Sequence, residues 1–319
     1  MYLVLALLLA APAADVAPPP RAIGELIELK TPTGTLYGTL DLPTAPGPWP
    51  VVLVHAGSGP TDRDGNGPLV RTDCLKQLGR ALAAQGFAVL RTDKRGIAAS
   101  AKALAKEEDV RIDTYAADVG AWVAMLRKDP RFTKLGYIGH SEGALVGLVA
   151  AKEAEFDCFV SLCGPGRALQ EVLRAQLKKN LPDELYKRSA DILTELEARR
   201  LVKDTPKELA ALFRPSVQPY LISVFQNDPA ELAEKLRAPM LVVSGSTDIQ
   251  VTDADAKRLG AADPKAKLVR IDGMNHVLKS VKEAHRLVQL PSYSDPSLPL
   301  HPELVPALSA FLKSAPGGK

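Results

Sequence analysis

Cysteine is scarce in this chain. The 319 residues include three of them, Cys74, Cys158 and Cys163, too few for a disulfide framework. Cys158 and Cys163 lie in one strand-like run, where five residues at about 3.3 Å each place them about 16 Å apart, beyond the reach of a disulfide bond. No spacing in the chain resembles a zinc site. We therefore expect Cys158 and Cys163 to be buried as small apolar side chains, and we predict no metal ion and no cofactor.

An excess of charge of either sign is also missing. Lysine and arginine number 40 and aspartate and glutamate 37, so the formal net charge is +3. This balance gives no electrostatic argument for binding nucleic acid or an anionic membrane, and a small-molecule partner is the default. The composition, 46% apolar and 24% charged, is ordinary for a globular protein. The length allows one large domain with an insertion or two modest domains, and it leaves the oligomeric state open.

The apolar run at the start of the chain is too short to span a membrane. Residues 2–11 fall far short of the ~20 apolar residues that a spanning helix needs, and Ala11-Pro12-Ala13 offers a cleavage site of the A-x-A type. No lysine or arginine precedes the run, so an uncleaved apolar tail is the alternative. We predict a signal peptide and leader at residues 1–20, no membrane span in the mature protein, and export to the periplasm or the extracellular space.

Short apolar runs alternate with helix-length segments along most of the chain. A hairpin comes first, with strands at 22–30 and 35–42 around a turn that contains Pro32 and Gly34. Four short apolar runs follow as predicted strands, at 51–54, 87–90, 135–138 and 158–162, and later in the chain the alternation resumes with predicted strands at 240–243 and 268–271. This alternation is typical of an α/β protein with a mainly parallel, doubly wound sheet and helices on both faces.

The alternation stops between residues 168 and 234. Apolar residues at helical spacing, among them Leu169, Val172 and Leu173, are interrupted there by prolines: Pro182, Pro206, Pro215 and Pro219. We predict that residues 168–234 form a helical cap inserted over the carboxyl edge of the sheet, and that 21–167 and 235–319 form the core. After the last strand, a stretch of roughly 25 residues with Pro and Ser reads as a structureless loop with a function. The final helix is predicted to open at His301.

One segment carries a nucleophile motif. Gly139-His140-Ser141-Glu142-Gly143 lies between the predicted strand 135–138 and a helix-forming run, in the order strand, sharp turn, helix that a G-x-S-x-G elbow requires. The residues that flank the serine must be small because the turn strains its backbone and brings strand and helix together. An ordinary glycine-containing turn is the alternative. We predict that Ser141 projects above the edge of the sheet as a nucleophile.

A serine needs a base to take its proton and an acid to orient that base. Asp248 follows the strand 240–243 and His276 follows the strand 268–271, so both lie at the same sheet edge as Ser141 and in the order acid, then histidine. The chain has five histidines, and His276 has the strongest position; a solvated loop histidine is the alternative. Three rivals remain for the acid: Asp253, Asp255 and Asp272.

Acyl transfer also needs hydrogen-bond donors for the oxyanion. The backbone N–H of Glu142, at a helix start, is one predicted donor. The second is assigned to Gly57, in the small, glycine-rich loop after the strand 51–54, with Ser58 as the alternative. The next segment, from Asp62 to Asp73, nearly matches a calcium loop, but a strand enters it where an EF-hand has a helix, so its polar side chains are expected to brace the oxyanion loop instead.

Together these motifs resemble the α/β-hydrolase superfamily and, within it, the bacterial EstD-type carboxylesterases. The resemblance covers nearly the whole mature chain and departs at Ala56 and Ala98, where many members have glycine. It rests on the elbow and on Gly57-Ser58-Gly59-Pro60 with Asp62-Arg63-Asp64, Asp93-Lys94-Arg95-Gly96, Arg214-Pro215-Ser216-Val217-Gln218-Pro219-Tyr220, Gly273-Met274-Asn275-His276 and Tyr293-Ser294-Asp295-Pro296-Ser297-Leu298-Pro299-Leu300. It implies an α/β-hydrolase fold, a triad of Ser141, Asp248 and His276, and hydrolysis of small-molecule carboxylic esters.

Three other functions stay open. An aminopeptidase would need an anionic group for the substrate amine, for which Glu184, Glu195 and Asp228 are candidates. A thioesterase would share all the chemistry, and a non-catalytic binding protein could have the same fold. Two further expectations concern side chains. The Glu142 carboxylate is expected to pair with an arginine, Arg63 or Arg95. The acyl pocket is expected to be lined by apolar cap residues, namely Leu212, Phe213, Tyr220, Leu221 and Phe225.

Overall fold

A twisted sheet of eight strands forms the centre of residues 23–315, which the computed structural model describes. The predicted signal peptide lies outside the described residues. The strands in chain order are β1 (Ile23–Thr31), β2 (Gly34–Leu42), β3 (Trp49–His55), β4 (Ala88–Thr92), β5 (Phe132–His140), β6 (Cys158–Leu162), β7 (Met240–Gly245) and β8 (Lys267–Ile271). Their order across the sheet is β1-β2-β4-β3-β5-β6-β7-β8.

The sheet is antiparallel only at its start. β1 pairs with β2 and β2 pairs with β4 in the antiparallel sense, and every later pairing is parallel. In the hairpin, Thr31 lies opposite Gly34, so the turn consists of Pro32 and Thr33. The strands β4, β6 and β7 are buried along their whole length, as continuous apolar runs between two helical layers require. The predicted mainly parallel sheet with an antiparallel start is confirmed.

Helices cover both faces of this sheet. Those described are α1 (Cys74–Ala84), α2 (Ile112–Lys128), α3 (Glu142–Ala150), α4 (Leu169–Asn180), α5 (Asp183–Glu197), α6 (Ala210–Phe213), α7 (Gln218–Phe225), α8 (Pro229–Glu234), α9 (Asp253–Ala262), α10 (Arg286–Ser294) and α11 (Leu304–Ser314), with short 3₁₀ helices at Ala98–Ala103, Glu107–Asp109 and Lys207–Leu209. Residues of α2 and α3 join one apolar cluster, and those of α1 and α11 join a second on the other face. None of the described helices has the length and apolar character needed to cross a bilayer.

The segment predicted as the cap holds α4 to α8 and lies between the neighbouring strands β6 and β7. It has an apolar cluster of its own, in which Leu193, Leu196 and Phe213 are fully buried. Helix α8 also contacts α3 and α9, and its Ala233 belongs to a cluster of the sheet. The cap limits at 168 and 234 stay a prediction.

The structureless loop predicted after β8 is wrong, because helix α10 forms there. Pro291 lies inside the helix and interrupts the local pattern. Polar side chains, not an apolar face, hold the helix in place. Buried Gln289 donates from Nε2 to the carbonyl of Thr247, and Ser292 accepts a hydrogen bond from Asn275. The apolar residues of α10 are exposed instead: Leu287, Val288 and Leu290.

All three cysteines are buried, and none forms a disulfide bond within residues 23–315. The expectation for Cys158 and Cys163 is confirmed, because both thiols lie in the apolar cluster behind the sheet edge. The final helix, α11, begins at Leu304 and not at His301. Residues 302 and 303 instead form a turn that leads into it.

Candidate active site

Ser141 stands alone between a strand and a helix. β5 ends at His140 and α3 begins at Glu142, and Ser141 has φ 54° and ψ −127°, a strained conformation for a residue with a side chain. The residues two positions before and after Ser141, Gly139 and Gly143, have no room for a side chain. A Cβ on Gly139 would lie 2.4 Å from backbone atoms of the first turn of α3, and one on Gly143 would lie 2.5 Å from the carbonyl oxygen of His55. The predicted strand, turn and helix around Ser141 are therefore present.

Asp248 and His276 meet at the same edge of the sheet. Asp248 follows β7, His276 follows β8, and His276 Nδ1 lies 2.8 Å from Asp248 Oδ2. The other carboxylate oxygen, Oδ1, accepts hydrogen bonds from the backbone N–H groups of Gln250 and Val251, at 2.8 and 3.0 Å. Burial by itself would raise the pKa of Asp248, but the interaction with His276 and the two N–H bonds outweigh it and hold the pKa below its usual value. The acid is thus ionised and oriented.

The rival acids have other partners. Asp255 accepts hydrogen bonds at the start of α9 and pairs with Arg167 at 2.8 Å. Asp253 pairs with Arg270, and Asp272 is almost fully exposed. Their positions leave Asp248 as the carboxylate that contacts His276.

The link between Ser141 and His276 is not closed. Both residues line the same cavity, yet no hydrogen bond joins Ser141 Oγ to His276 Nε2 within the described part of the chain. Catalytic hydrogen bonds are often long before a substrate is bound. Ser141 and His276 therefore border one cavity without a direct hydrogen bond, which is compatible with their predicted roles.

His140, inside the elbow, fixes the position of His276. Its Nε2 lies 2.8 Å from the backbone carbonyl of His276, and since a carbonyl only accepts, Nε2 must carry the proton. Burial, together with nearby His276, lowers the pKa of His140 to about 4, so the ring is neutral. Cys163 also lies near this pair: its Sγ is within 4.8 Å of a carboxylate oxygen of Asp248 and a ring nitrogen of His276. Burial raises the pKa of this thiol well above its usual value, which keeps it neutral.

The loop after β3 passes directly over the serine. A Cβ on Gly57 would lie 2.9 Å from Ser141 Cβ, so this position allows no side chain. The backbone N–H groups of Gly57, Ser58 and Glu142 donate no hydrogen bond to any group in residues 23–315. All three are therefore available to a substrate oxygen, and the geometry keeps both Gly57 and Ser58 as candidates for the second oxyanion donor.

A buried lysine holds this loop. Lys94 follows β4, is 3% exposed, and donates from Nζ to the carbonyl oxygens of Gly57 and Gly59, the second at 2.7 Å. The ammonium also lies 5.7 Å above the ring of Tyr115. Burial lowers the pKa of Lys94 to about 8, against the opposing effect of the Glu142 carboxylate. From the sequence, Lys94 is named only within the motif Asp93-Lys94-Arg95-Gly96 and is assigned no role. Its position just after a buried strand is the sequence feature that could have indicated one.

The expected pairing of Glu142 with Arg63 or Arg95 is wrong. Arg63 binds Asp93 at 2.7 Å, and Arg95 forms a fork with the buried carboxylate of Asp118. Both arginines are thus occupied by carboxylates that would otherwise be buried without a partner. The cation whose charge interacts with Glu142 is Lys94, from the same Asp-Lys-Arg-Gly segment.

The calcium-like segment is closed by its own side chains. Asp62 Oδ1 accepts hydrogen bonds from the N–H groups of Asp64 and Asn66, both at 2.9 Å. Asn66 Oδ1 accepts from the N–H groups of Thr72 and Asp73 in the same way. These bonds join residues of the segment to one another, so the bracing of the loop at 57–59 stays a prediction.

Two cavities meet at Ser141. One, here called the cap lobe, has a volume of about 170 Å³ and is lined by Leu145 of α3, by Leu169, Val172 and Leu173 of α4, and by Val224 of α7. The other, here called the loop lobe, has a volume of about 360 Å³; its lining includes Gly57, Leu69, Val70, His276, Val277 and Tyr293. Ser58 also borders both lobes.

The predicted wall of the acyl pocket is wrong. None of the five residues named for it, Leu212, Phe213, Tyr220, Leu221 and Phe225, lines either lobe. Four pack in or against the apolar cluster of the cap, and Tyr220 packs edge-on to Tyr115, with ring centroids 5.8 Å apart. The apolar pattern identified a buried helix correctly, but it could not tell which side faces the cavity.

The candidate anions for an aminopeptidase lie elsewhere. Glu184 is exposed on α5, and Glu195 pairs with Arg200 at the surface. Asp228 caps α8 through its bond to the N–H of Ala230 and pairs with Arg258. None of the three acidic residues lines the cap lobe or the loop lobe.

Comparisons with known proteins agree with this geometry. The family described as serine aminopeptidase, S33, matches residues 71–280. The chain is 30% identical over 252 residues to Esterase EstD from Thermotoga maritima, which covers 77% of this chain and 58% of EstD, so it spans little more than half the length of that relative. Est1E from Butyrivibrio proteoclasticus is similar in structure, with a TM-score of 0.59, 18% identity and coverage of 91% and 98% of the two chains. The Pyrococcus furiosus esterase Pf2001 has a TM-score of 0.55, 19% identity and coverage of 93% and 98%. At such identities these two structures support the fold alone.

Proposed function

Because the chain belongs to the serine aminopeptidase S33 family of α/β-hydrolases, we propose that it is a serine carboxylesterase that hydrolyses short to medium acyl esters. The observation that carries the proposal is the oriented His276, whose Nδ1 is 2.8 Å from buried Asp248 beside the strained Ser141. The name of the relative EstD, at 30% identity, supports an ester substrate.

The proposed mechanism is acyl transfer in two steps. His276 Nε2 takes the proton of Ser141 as Oγ attacks the ester carbonyl carbon, and Asp248 stabilises the imidazolium. The oxyanion accepts hydrogen bonds from the N–H of Glu142 and from that of Gly57 or Ser58. The C–O bond to the alcohol breaks, and His276 gives its proton to the leaving oxygen. Water, deprotonated by His276, then attacks the acyl-enzyme and releases the acid and Ser141.

Amides should react far more slowly than esters. An amine must be protonated to leave, and a peptide substrate with a free amino terminus would need an anion to hold it. Within residues 23–315, the acidic residues that line the cap lobe are Glu142 and Asp255. The first interacts with the buried Lys94 and the second pairs with Arg167, so both are compensated.

The test is a series of p-nitrophenyl esters from acetate to palmitate beside aminoacyl p-nitroanilides, with wild type, Ser141→Ala and His276→Ala. The expected result is fast turnover of the short esters, slow turnover of the anilides, and loss of ester turnover in both variants. A fluorophosphonate probe should label Ser141. Comparable turnover of the anilides, or ester turnover that survives Ser141→Ala, would contradict the proposal.

We also propose that the protein is exported and that the leader is removed, from the apolar run at residues 2–11 and the A-x-A site after it. Mass spectrometry of the protein purified from its native host should find a start near residue 14. An intact Met1 in that protein would contradict cleavage, and it would leave the esterase proposal untouched.

A further inference from the structure

The two lobes at Ser141 differ in which catalytic groups they contain. His276 lines the loop lobe together with His140, and neither ring borders the cap lobe. Glu142, whose N–H is a candidate oxyanion donor, borders the cap lobe and not the loop lobe. Ser58 borders both lobes, whereas Gly57, next to Ser141, borders the loop lobe alone of the two.

The chemistry of ester cleavage assigns a direction to each substrate group. In the tetrahedral intermediate, the former carbonyl carbon carries Oγ of Ser141, the oxyanion, the alcohol oxygen and the acyl chain. The alcohol oxygen has to lie within hydrogen-bond reach of His276 to receive its proton, which places it at the loop lobe. The oxyanion points to the backbone N–H groups, and the one direction left for the acyl chain is the cap lobe.

We infer that this chain acts on esters of a short, uncharged acyl group with a larger apolar alcohol, the acyl chain in the cap lobe and the alcohol in the loop lobe. The inference rests on the esterase activity proposed above and adds its substrate class. The volumes of the two lobes indicate that the acyl group is smaller than the alcohol. A cavity of about 150 Å³ lined by apolar residues holds one benzene, so the cap lobe, at about 170 Å³, matches an acyl chain of about six carbons. The loop lobe is about twice as large.

The walls of the two lobes make the same distinction. On one side of the cap lobe, Leu145, Leu173 and Val224 are buried in close-packed helices and yield little to a longer chain. The other side includes polar side chains such as the exposed Gln176, against which a longer apolar chain gains little. The loop lobe leads to the tip of the loop at Leu69, which is 95% exposed. An alcohol that outgrows the loop lobe still meets an apolar surface. The apolar side chains that line the cap lobe disfavour an acyl chain that ends in a second carboxylate, because burying that charge without a partner is costly.

The decisive substrates are two isomers, octyl acetate and ethyl octanoate. They have the same atoms and nearly the same hydrophobicity, and they differ only in which side of the ester carries the long chain. We expect kcat/KM for octyl acetate to exceed that for ethyl octanoate by about tenfold or more, as expected for a pocket that rejects a few methylenes. A ratio of one, or a preference for ethyl octanoate, would overturn the assignment while leaving the esterase activity in place.

One chemical change made in each lobe tests the placement directly. Val172→Phe fills the cap lobe and Val70→Phe fills the loop lobe, and both valines are partly buried. Val172→Phe should lower the ratio of ethyl hexanoate to ethyl acetate turnover at least about fivefold, and Val70→Phe should lower the ratio of hexyl acetate to ethyl acetate by a similar factor. Each ratio compares two substrates on one preparation, so the folded fraction cancels.

Exchanged effects, in which Val172→Phe acts on the alcohol series and Val70→Phe on the acyl series, would reverse the assignment. Effects of both variants on both series alike would also overturn it. If the wild type turns over neither isomer and the fluorophosphonate probe leaves Ser141 unlabelled, the esterase proposal itself fails, and the inference fails with it. These outcomes are distinct because the probe does not depend on chain length.

Discussion

Replacing Lys94 by methionine tests whether the ammonium group holds the oxyanion loop. The change keeps the length of the side chain and removes both hydrogen bonds to the carbonyls of Gly57 and Gly59. Removal of one oxyanion donor costs about 10²–10³ in kcat. We expect a loss of about 10² in kcat for Lys94→Met, because the loop is displaced and not deleted. KM should change little, since the lobes that bind the substrate are intact.

The free energy of unfolding should change much less than kcat. The buried carbonyl of Gly57, left without its donor, costs about 1–3 kcal/mol, whereas the carbonyl of Gly59, an exposed residue, can bind water instead. Burial lowers the pKa of Lys94 from 10.5 to about 8, so the charged ammonium destabilises the folded state by about 3 kcal/mol. Methionine removes this destabilisation. The two effects oppose each other, so urea unfolding should show a net change within about 2 kcal/mol.

Lys134→Met is the matched control. Lys134 Nζ also donates to a backbone carbonyl, that of Ala315, at 2.8 Å, and Lys134 lines neither lobe at Ser141. The assay is kcat and KM with p-nitrophenyl acetate for wild type and both variants. A kcat of Lys94→Met within about threefold of wild type, in a variant shown to be folded by urea unfolding, would refute the reasoning, because a lost oxyanion donor costs far more.

From the lowered pKa of Lys94, we predict that stability and activity respond to pH in opposite directions. Its folded pKa of about 8 lies below the ordinary 10.5, so the unfolded state binds more protons between these values and the Lys94 contribution to stability rises with pH in that window. Activity should fall there, since a neutral amine donates weaker hydrogen bonds than an ammonium. Among the described residues, the groups near the amine include Glu142, Tyr115 and His55. Burial raises the pKa of Tyr115 well above its usual value, and burial together with the Lys94 charge lowers the pKa of His55 to about 3, so both stay neutral. Wild type and Lys94→Met, compared from pH 7 to 10, should differ in both trends.

Three further predictions concern separate parts of the molecule. Asp248→Asn should lower kcat by about 10³–10⁴, because the amide cannot stabilise the imidazolium of His276; the assay is p-nitrophenyl acetate hydrolysis, and a loss below tenfold would exclude Asp248 as the acid. Phe213→Ala should lower the free energy of unfolding by about 3–5 kcal/mol in urea with kcat/KM almost unchanged, since the ring lies in the cap cluster and outside both lobes. Arg95→Met should cost about 3–5 kcal/mol, because it leaves the buried Asp118 carboxylate unpaired; adding Asp118→Leu should restore much of this in the same unfolding measurement, and no recovery would contradict the pairing as the cause.

The central strands β3 to β7 could be predicted from the sequence because they are buried on both faces over most of their length, unlike the edge strand β8. Their continuous apolar runs mark them without reference to the rest of the fold. Their ends could not be predicted: β5 begins at Phe132 and ends at His140, while the apolar run covers only 135–138. Polar residues at strand ends pair in the ladder as well as apolar ones do, and no local pattern marks where pairing stops.

The positions of Ser141, Asp248 and His276 followed from the same argument, since loops after parallel strands meet at one edge. Their catalytic roles stay a prediction. The partner of Glu142 could not be found in this way. Arg63, Lys94 and Arg95 are all cations near the oxyanion loop, and the choice among them depends on which carboxylates the folded chain leaves unpaired. The local sequence does not show which of these cations pairs with which carboxylate in the folded chain.

The insertion between β6 and β7 has a consequence for protein engineering. Because these strands are hydrogen-bonded neighbours, with Phe159 opposite Met240, the chain from 163 to 239 leaves the sheet and returns beside its own point of departure. It could be spliced out and a foreign segment grafted without changing a single strand pairing. Ion pairs tie the segment to α9: Arg167 with Asp255, and both Glu171 and Asp228 with Arg258. A grafted segment that keeps these ion pairs would change the cap while the sheet and its strand pairings stay the same.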